Sequence, residues 1–84
     1  MINRELGFEI DYALDCCGHL CPVPILMTEE KIADLTAGKV MEVSFTDIGA
    51  KADLDAWCRA TGNALLGFKD EKAKSFAYIK KTGL

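Results

Sequence analysis

The sequence has few of the features that mark secreted or membrane proteins. It has two prolines, one histidine and one tryptophan among its 84 residues. Its longest apolar run, LCPVPILM, is far shorter than the ~20 apolar residues that cross a bilayer, so we expect no membrane span. Its first residues, MINRELGFEIDY, carry charges where a signal peptide has an apolar stretch. We therefore expect a cytoplasmic protein.

Patterns for several kinds of chemistry are also missing. The sequence shows no Ser/His/Asp arrangement, no phosphate-binding loop and no carboxylate pair at catalytic spacing, which argues against an enzyme with its own acid–base groups. The net charge is −3, and no stripe of basic and aromatic side chains is visible. This argues against a nucleic-acid-binding module, a hypothesis that salt-sensitive binding to tRNA would revive.

Cysteine, by contrast, is abundant, with four residues in a short chain. Thiols stay reduced in the cytoplasm, so these cysteines indicate chemistry or metal binding more than structural disulfides. The length predicts a single domain over residues 1–84. We expect it to be a monomer.

Apolar–polar alternation predicts the strands, and apolar residues at helical spacing predict the helices. The predicted elements are strand Phe8–Leu14, helix Pro22–Leu35, strand Lys39–Thr46, helix Lys51–Thr61, and strands Ala64–Asp70 and Ser75–Lys81. Gly38 and Gly62 are expected to cap the two helices. In the second helix, Leu54, Trp57 and Cys58 share the apolar face and are expected in the core. The order β-α-β-α-β-β predicts an α+β fold, a two-layer sandwich with a four-stranded mixed sheet and both helices on one face.

The stretch Asp15–Pro24, DCCGHLCPVP, contains three cysteines, the histidine and both prolines. Cys21 stands where the first helix is expected to begin, at or beside its N-cap. The unpaired N–H groups and the positive dipole end of a helix stabilise a thiolate, so we expect the pKa of Cys21 to lie below that of a free thiol. Pro22 and Pro24 stiffen this turn because their rings fix the backbone. The pattern predicts an exposed nucleophilic sulfur on a rigid mount.

The segment Cys21-Pro22-Val23-Pro24 follows Leu14-Asp15-Cys16-Cys17-Gly18. It resembles the hallmark of the TusA/SirA/YedF-like sulfur carriers, a Cys-Pro-x-Pro motif that opens the first helix after Leu-Asp-x-x-Gly. The resemblance extends over nearly the whole chain from Ile10 onward. Further matching positions are Thr46-Asp47, Asp53-Leu54, Trp57, Gly62-Asn63 and Ile79-Lys80-Lys81.

This resemblance implies a two-layer sandwich similar to the C-terminal domain of translation initiation factor 3. It implies that Cys21 carries sulfane sulfur as a persulfide, with Gly18, Pro22 and Pro24 as the scaffold of the motif. A cysteine desulfurase or a rhodanese would supply the sulfur. Another relay protein would accept it for tRNA thiolation, cofactor biosynthesis or sulfur metabolism. Such a carrier needs no cofactor and acts stoichiometrically, so whether to class it as an enzyme stays open.

Three residues of the stretch depart from the family pattern: Cys16, Cys17 and His19. Cys16 or Cys17 could close a disulfide with Cys21 where the Cα separation allows it, or one of them could be a small buried residue. Together with Cys21, these three side chains could hold a metal, although consecutive strand residues such as Cys16 and Cys17 would point to opposite faces. His19 could tune the Cys21 thiolate or have no role. The alternative to a carrier is therefore a thiol redox or metal-binding protein that uses this cluster.

Overall fold

The fold is built around one four-stranded sheet with two helices packed against it. The computed structural model describes residues 7–83 and the backbone of Ile2–Asn3. Its elements are β1 (Ile2–Asn3), β2 (Phe8–Glu9), β3 (Tyr12–Asp15), α1 (Val23–Ile32), β4 (Val40–Phe45), α2 (Ala50–Thr61), β5 (Ala64–Asp70) and β6 (Ser75–Lys80). The predicted α+β class and the order of the six elements from β3 to β6 are confirmed.

The sheet is mixed, with the strand order β3-β4-β6-β5. β3 and β4 run parallel with Leu14 opposite Val43, whereas β6 is antiparallel to both β4 and β5. A parallel pair requires a crossover connection, and α1 provides it between β3 and β4. The loop that holds the cysteines therefore lies where β3 ends and α1 begins.

The core lies between the sheet and the helices. Met41, Val43 and Phe45 alternate along β4 and face the helices, because every second residue of a strand points to the same side. Both helices lie on this face, as predicted. The apolar side of α2 faces the core, which confirms the expectation for its apolar residues. The helical members of the core are Ile32 from α1 and Ala50, Leu54 and Cys58 from α2, with Trp57 partly buried against them.

The first strand differs from its prediction. Phe8–Leu14 is not one strand: Phe8–Glu9 pairs with Ile2–Asn3 in a separate two-stranded sheet, and β3 begins only at Tyr12. The Phe8 ring packs edge-on against Tyr78 with 5.5 Å between ring centres. Apolar–polar alternation reports which side chains are buried but not which strand they pair with, so it merged two segments that have different partners.

The two helix ends show one correction and one confirmation. α1 ends at Ile32 with Ala33 as its C-cap, so Gly38 does not cap it. Gly38 instead has φ +91° and donates its N–H to the Lys81 carbonyl at 2.8 Å. Gly62 does cap α2, with φ +80°, a left-handed conformation that glycine adopts without strain. Within the described residues, neither helix is long and apolar enough to cross a membrane.

Candidate functional site

Cys21 lies in the loop between β3 and α1 and is exposed to solvent. The Val23 N–H donates to the Leu20 carbonyl at 2.9 Å, so the chain already turns around Cys21. α1 begins at Val23 with Pro22 as its N-cap. Cys21 therefore stands directly before the cap, close to the position that the sequence predicts.

Both prolines belong to the start of α1. The Pro22 carbonyl accepts hydrogen bonds from the N–H groups of Ile25 and Leu26, each at 3.1 Å. Pro24 occupies the first turn and is buried. A proline is tolerated here because the first N–H groups of a helix have no partner within it. The two rings therefore stiffen the mount of Cys21 without breaking the helix.

The other side of the loop is fastened to β4 and to the residue that follows it. Asp15 Oδ1 accepts from the Cys17 N–H at 2.9 Å and from the Ser44 hydroxyl at 3.1 Å. These hydrogen bonds lower the pKa of Asp15, and the one from the Cys17 N–H has the largest effect. The Gly18 N–H donates to Thr46 Oγ1 at 2.9 Å. Gly18 has φ +84°, so a side chain at this position would strain the loop.

The strongest polar contact of Cys21 comes from α2. Its thiol donates a hydrogen bond to Oδ2 of Asp53, which lies in the first turn of that helix. This hydrogen bond is the main reason why the pKa of Cys21 is raised. Partial loss of solvent and the negative charges of Asp53 and Asp47 act in the same direction. The sequence-based prediction of a lowered pKa is wrong, because the Asp53 carboxylate accepts a hydrogen bond from the thiol and so favours its protonated form.

Cys16 is part of the core. It is fully buried, and its N–H extends the β3–β4 ladder by donating to the Ser44 carbonyl at 2.7 Å. Burial, followed by the negative charge of Asp15, raises its pKa to about 11. Of the three roles considered for Cys16, the structure therefore supports the small buried residue.

Cys17 has a third environment. It is half-buried, and its thiol interacts with Asp15 and Ser44 rather than with the core. Its pKa is raised, mainly by loss of solvent and then by the hydrogen bond to Asp15. The two neighbouring cysteines thus have different surroundings, Cys16 in the core and Cys17 half-buried in the turn that follows β3. All four cysteines are free thiols.

A metal site does not form from this stretch. Within the part of the chain that the structure describes, no group of three or more His, Cys, Asp or Glu side chains is close enough to hold an ion. His19 is exposed, and its N–H donates to the Cys16 carbonyl at 3.3 Å. Cys16 is enclosed in the core whereas His19 and Cys21 are exposed, so the four soft ligands of the sequence do not come together in space.

Exposed apolar side chains occur in the segments that contain Cys21 and Asp47. We define the apolar rim as Leu20, Val23, Leu26 and Ile48, whose exposed fractions are 73%, 37%, 56% and 99%. Leu20 and Val23 flank Cys21 in sequence, Leu26 follows in α1, and Ile48 is next to Asp47, whose charge acts on Cys21. Two open grooves of about 520 Å³ each are lined by residues other than Cys21. The site is thus an exposed thiol on an open, partly apolar surface.

Comparison with known proteins gives matches over most of the chain. The family model described as Sulfurtransferase TusA matches residues 12–81. The sulfur carrier protein TusA of Allochromatium vinosum is 38% identical over 74 residues, which are 88% of this chain and 97% of that protein. The sulfur carrier protein TusA of Pseudomonas syringae is 32% identical over 75 residues, with 89% of each chain covered.

Other relatives are much longer than this chain. YrkF of Bacillus subtilis is 41% identical over 70 residues, which are 83% of this chain but only 38% of that protein. A relative from Aquifex aeolicus is 41% identical over 71 residues, and the match spans 36% of its length. The chain thus spans little more than a third of the length of these two relatives.

The fold has a counterpart among solved structures. The crystal structure of a SirA-like protein from Desulfitobacterium hafniense superposes with a TM-score of 0.75 at 19% identity. The match covers 83% of this chain and 96% of that one. The sequence matches and the shared fold agree with the resemblance first seen in the Cys-Pro-x-Pro segment, and the chain belongs to the TusA family.

Proposed function

We propose that this protein is a sulfur carrier that holds sulfane sulfur as a persulfide on Cys21. The observation that carries the proposal is the exposure of Cys21 at the start of α1, while Cys16 and Cys58 are buried in the core. Membership of the TusA family supports it, as do the names of the two TusA relatives. Thiol chemistry on a partner protein requires an accessible sulfur, and Cys21 meets that requirement.

The transfer is an exchange between a thiol and a persulfide. The Cys21 sulfur attacks the outer sulfur of a donor persulfide, and a new S–S bond forms as the donor's S–S bond breaks. The electron pair of the broken bond stays on the donor's inner sulfur, which takes up the proton that Cys21 loses. Release is the same reaction with an acceptor thiolate as the attacking group. The sulfane sulfur changes partner, and no external oxidant or reductant is needed.

The partners would provide whatever catalysis the exchange requires. We propose a cysteine desulfurase or a rhodanese as the donor and a relay protein of sulfur metabolism as the acceptor, all in the cytoplasm. The apolar rim, which includes Leu20 and Val23 close to Cys21 in sequence, suits docking of such proteins, because interface centres are enriched in desolvated apolar side chains. The exposed position of Cys21 suits a protein that presents its sulfur to another active site.

Mass spectrometry after incubation with a cysteine desulfurase and cysteine, or with a rhodanese and thiosulfate, tests this proposal. We expect a gain of one sulfur on the peptide that contains Cys21. Cys21→Ser should abolish the gain, whereas Cys17→Ser, four residues away, is the matched control and should retain it. Sulfur uptake that persists in Cys21→Ser, or a Cys17–Cys21 disulfide instead of a persulfide, would contradict the proposal and favour the thiol redox alternative.

A further inference from the structure

The contact between Cys21 and Asp53 joins two distant parts of the chain. Cys21 precedes α1, Asp53 lies in the first turn of α2, and the thiol donates its hydrogen to Oδ2 of the carboxylate. Asp53 sits at the positive end of the α2 dipole, a position that favours a negative charge. Asp47, just before α2, adds a second negative charge that acts on the same sulfur. The sulfur thus faces an acidic surface rather than the basic one that usually activates a thiol.

This acidic surface interacts differently with the two forms of Cys21, the thiol (the empty form) and the persulfide (the loaded form). The hydrogen bond to Asp53 requires a proton on the sulfur, so it stabilises the thiol. A persulfide is a stronger acid than its parent thiol, so its outer sulfur is readily ionised. That charge would lie only one S–S bond, about 2 Å, beyond the position of the thiol sulfur. Asp53 and Asp47 would then repel it, and the hydrogen bond would be lost.

We propose that Asp53 sets how weakly Cys21 holds its sulfur: its carboxylate stabilises the empty thiol, destabilises the loaded persulfide anion, and so biases the carrier toward release. This inference rests on the proposed function and assigns Asp53 a role in it. A carrier must give up its sulfur to the next protein, and a fixed negative charge beside the carrying atom favours that direction. Asp47 contributes in the same sense from the segment before α2.

The equilibrium that Asp53 acts on balances in atoms and charge. The thiol of Cys21 and the persulfide anion of a donor become the persulfide anion of Cys21 and the thiol of the donor. One S–S bond forms at Cys21, one breaks in the donor, and one proton moves from Cys21 to the donor's sulfur. Asp53 is not consumed. It shifts the equilibrium only because it interacts differently with the two states of Cys21.

The direct test is to measure the ratio of loaded to empty Cys21 in a defined mixture of glutathione persulfide and glutathione. Asp53→Asn keeps the shape of the side chain but removes its charge, and we expect it to raise this ratio about five-fold. Asp55→Asn is the matched control, because it removes the same charge from the same helix at a residue that pairs with Arg59 at 3.5 Å. That control should keep the wild-type ratio, and Asp53→Glu, which retains the charge, should remain close to it.

A second measurement needs no sulfur donor. The rate at which iodoacetamide alkylates Cys21 reports its thiolate fraction, and Asp53→Asn should raise that rate at neutral pH and move the pH profile to lower pH. A purely structural role for Asp53 would not shift the profile in this direction. Unchanged alkylation and an unchanged ratio in a protein that does load would overturn the role of Asp53 alone. Failure of every variant to take up sulfur would overturn the carrier function and this inference with it.

Discussion

Cys21 and Cys16 carry the same chemical group five residues apart, yet they belong to opposite regions of the molecule. Cys21 is exposed on a loop, beside the apolar rim and two carboxylates. Cys16 is buried between sheet and helices, where loss of solvent, followed by the negative charge of Asp15, raises its pKa and favours the protonated thiol. The difference shows that the surroundings of a thiol control its reactivity. It also shows that the cysteines clustered in this sequence are not clustered in space.

The largest expected difference between the two regions is in access to reagents. In the native protein we expect iodoacetamide to modify Cys21 at least ~10³-fold faster than Cys16 or Cys58, because the buried thiols react only after the fold opens. Timed alkylation followed by peptide mass spectrometry measures these rates. In denaturant all four cysteines should react at similar rates. Comparable rates for Cys16 and Cys21 in the native protein would show that the core near β3 opens readily. They would contradict the conclusion that Cys16 is shielded from reagents while Cys21 is accessible.

A second expected difference is in stability. Leu54→Ala should lower the free energy of unfolding by about 3 kcal/mol, because Leu54 is fully buried in the core and its truncation leaves a cavity. Leu26→Ala, in the apolar rim, should change it by less than about 0.5 kcal/mol, because that side chain is 56% exposed. Urea unfolding measures both values, provided that the dependence of the unfolding free energy on urea concentration is the same in wild type and variant. A large loss in Leu26→Ala would mean that the rim supports the fold rather than a partner.

A third expected difference concerns alkaline pH. Burial raises the pKa of Cys16 and Cys58 from 9.0 to about 11, so the folded state holds these protons more tightly than the unfolded state. Their contribution to stability is complete below pH 9 and is lost as the pH rises toward about 11. Each thiol should lower the free energy of unfolding by about 1 kcal/mol between pH 9 and about pH 10.

Urea unfolding across this range tests the alkaline prediction. Cys58→Ala removes one of the two buried thiols and should reduce the dependence on pH, whatever its effect on stability at neutral pH. Wild-type protein and Cys58→Ala with the same pH dependence would contradict it. Such a result would show that the interior thiols are not as sheltered from water as their burial indicates.

The reliable sequence-based predictions were local ones. α2 and β5 match their predicted bounds within one residue, because each rests on an apolar pattern closed by a turn, with Gly62 between them. The errors concern partners. Phe8–Leu14 was merged into one strand because alternation does not name the pairing strand, and Gly38 was assigned as a cap because its distant contact with Lys81 leaves no mark in the local sequence.

The candidate site divides in the same way. The Cys-Pro-x-Pro segment predicted from local sequence that Cys21 would be exposed directly before α1, because the prolines and the start of that helix are local features. Only the tertiary structure placed Asp53, 32 residues further along, against that sulfur and so reversed the expected direction of its pKa. It also decided that Cys16 would be buried while Cys17 would not. Electrostatic interactions depend on distance in space, and the packing of α2 beside α1 sets that distance.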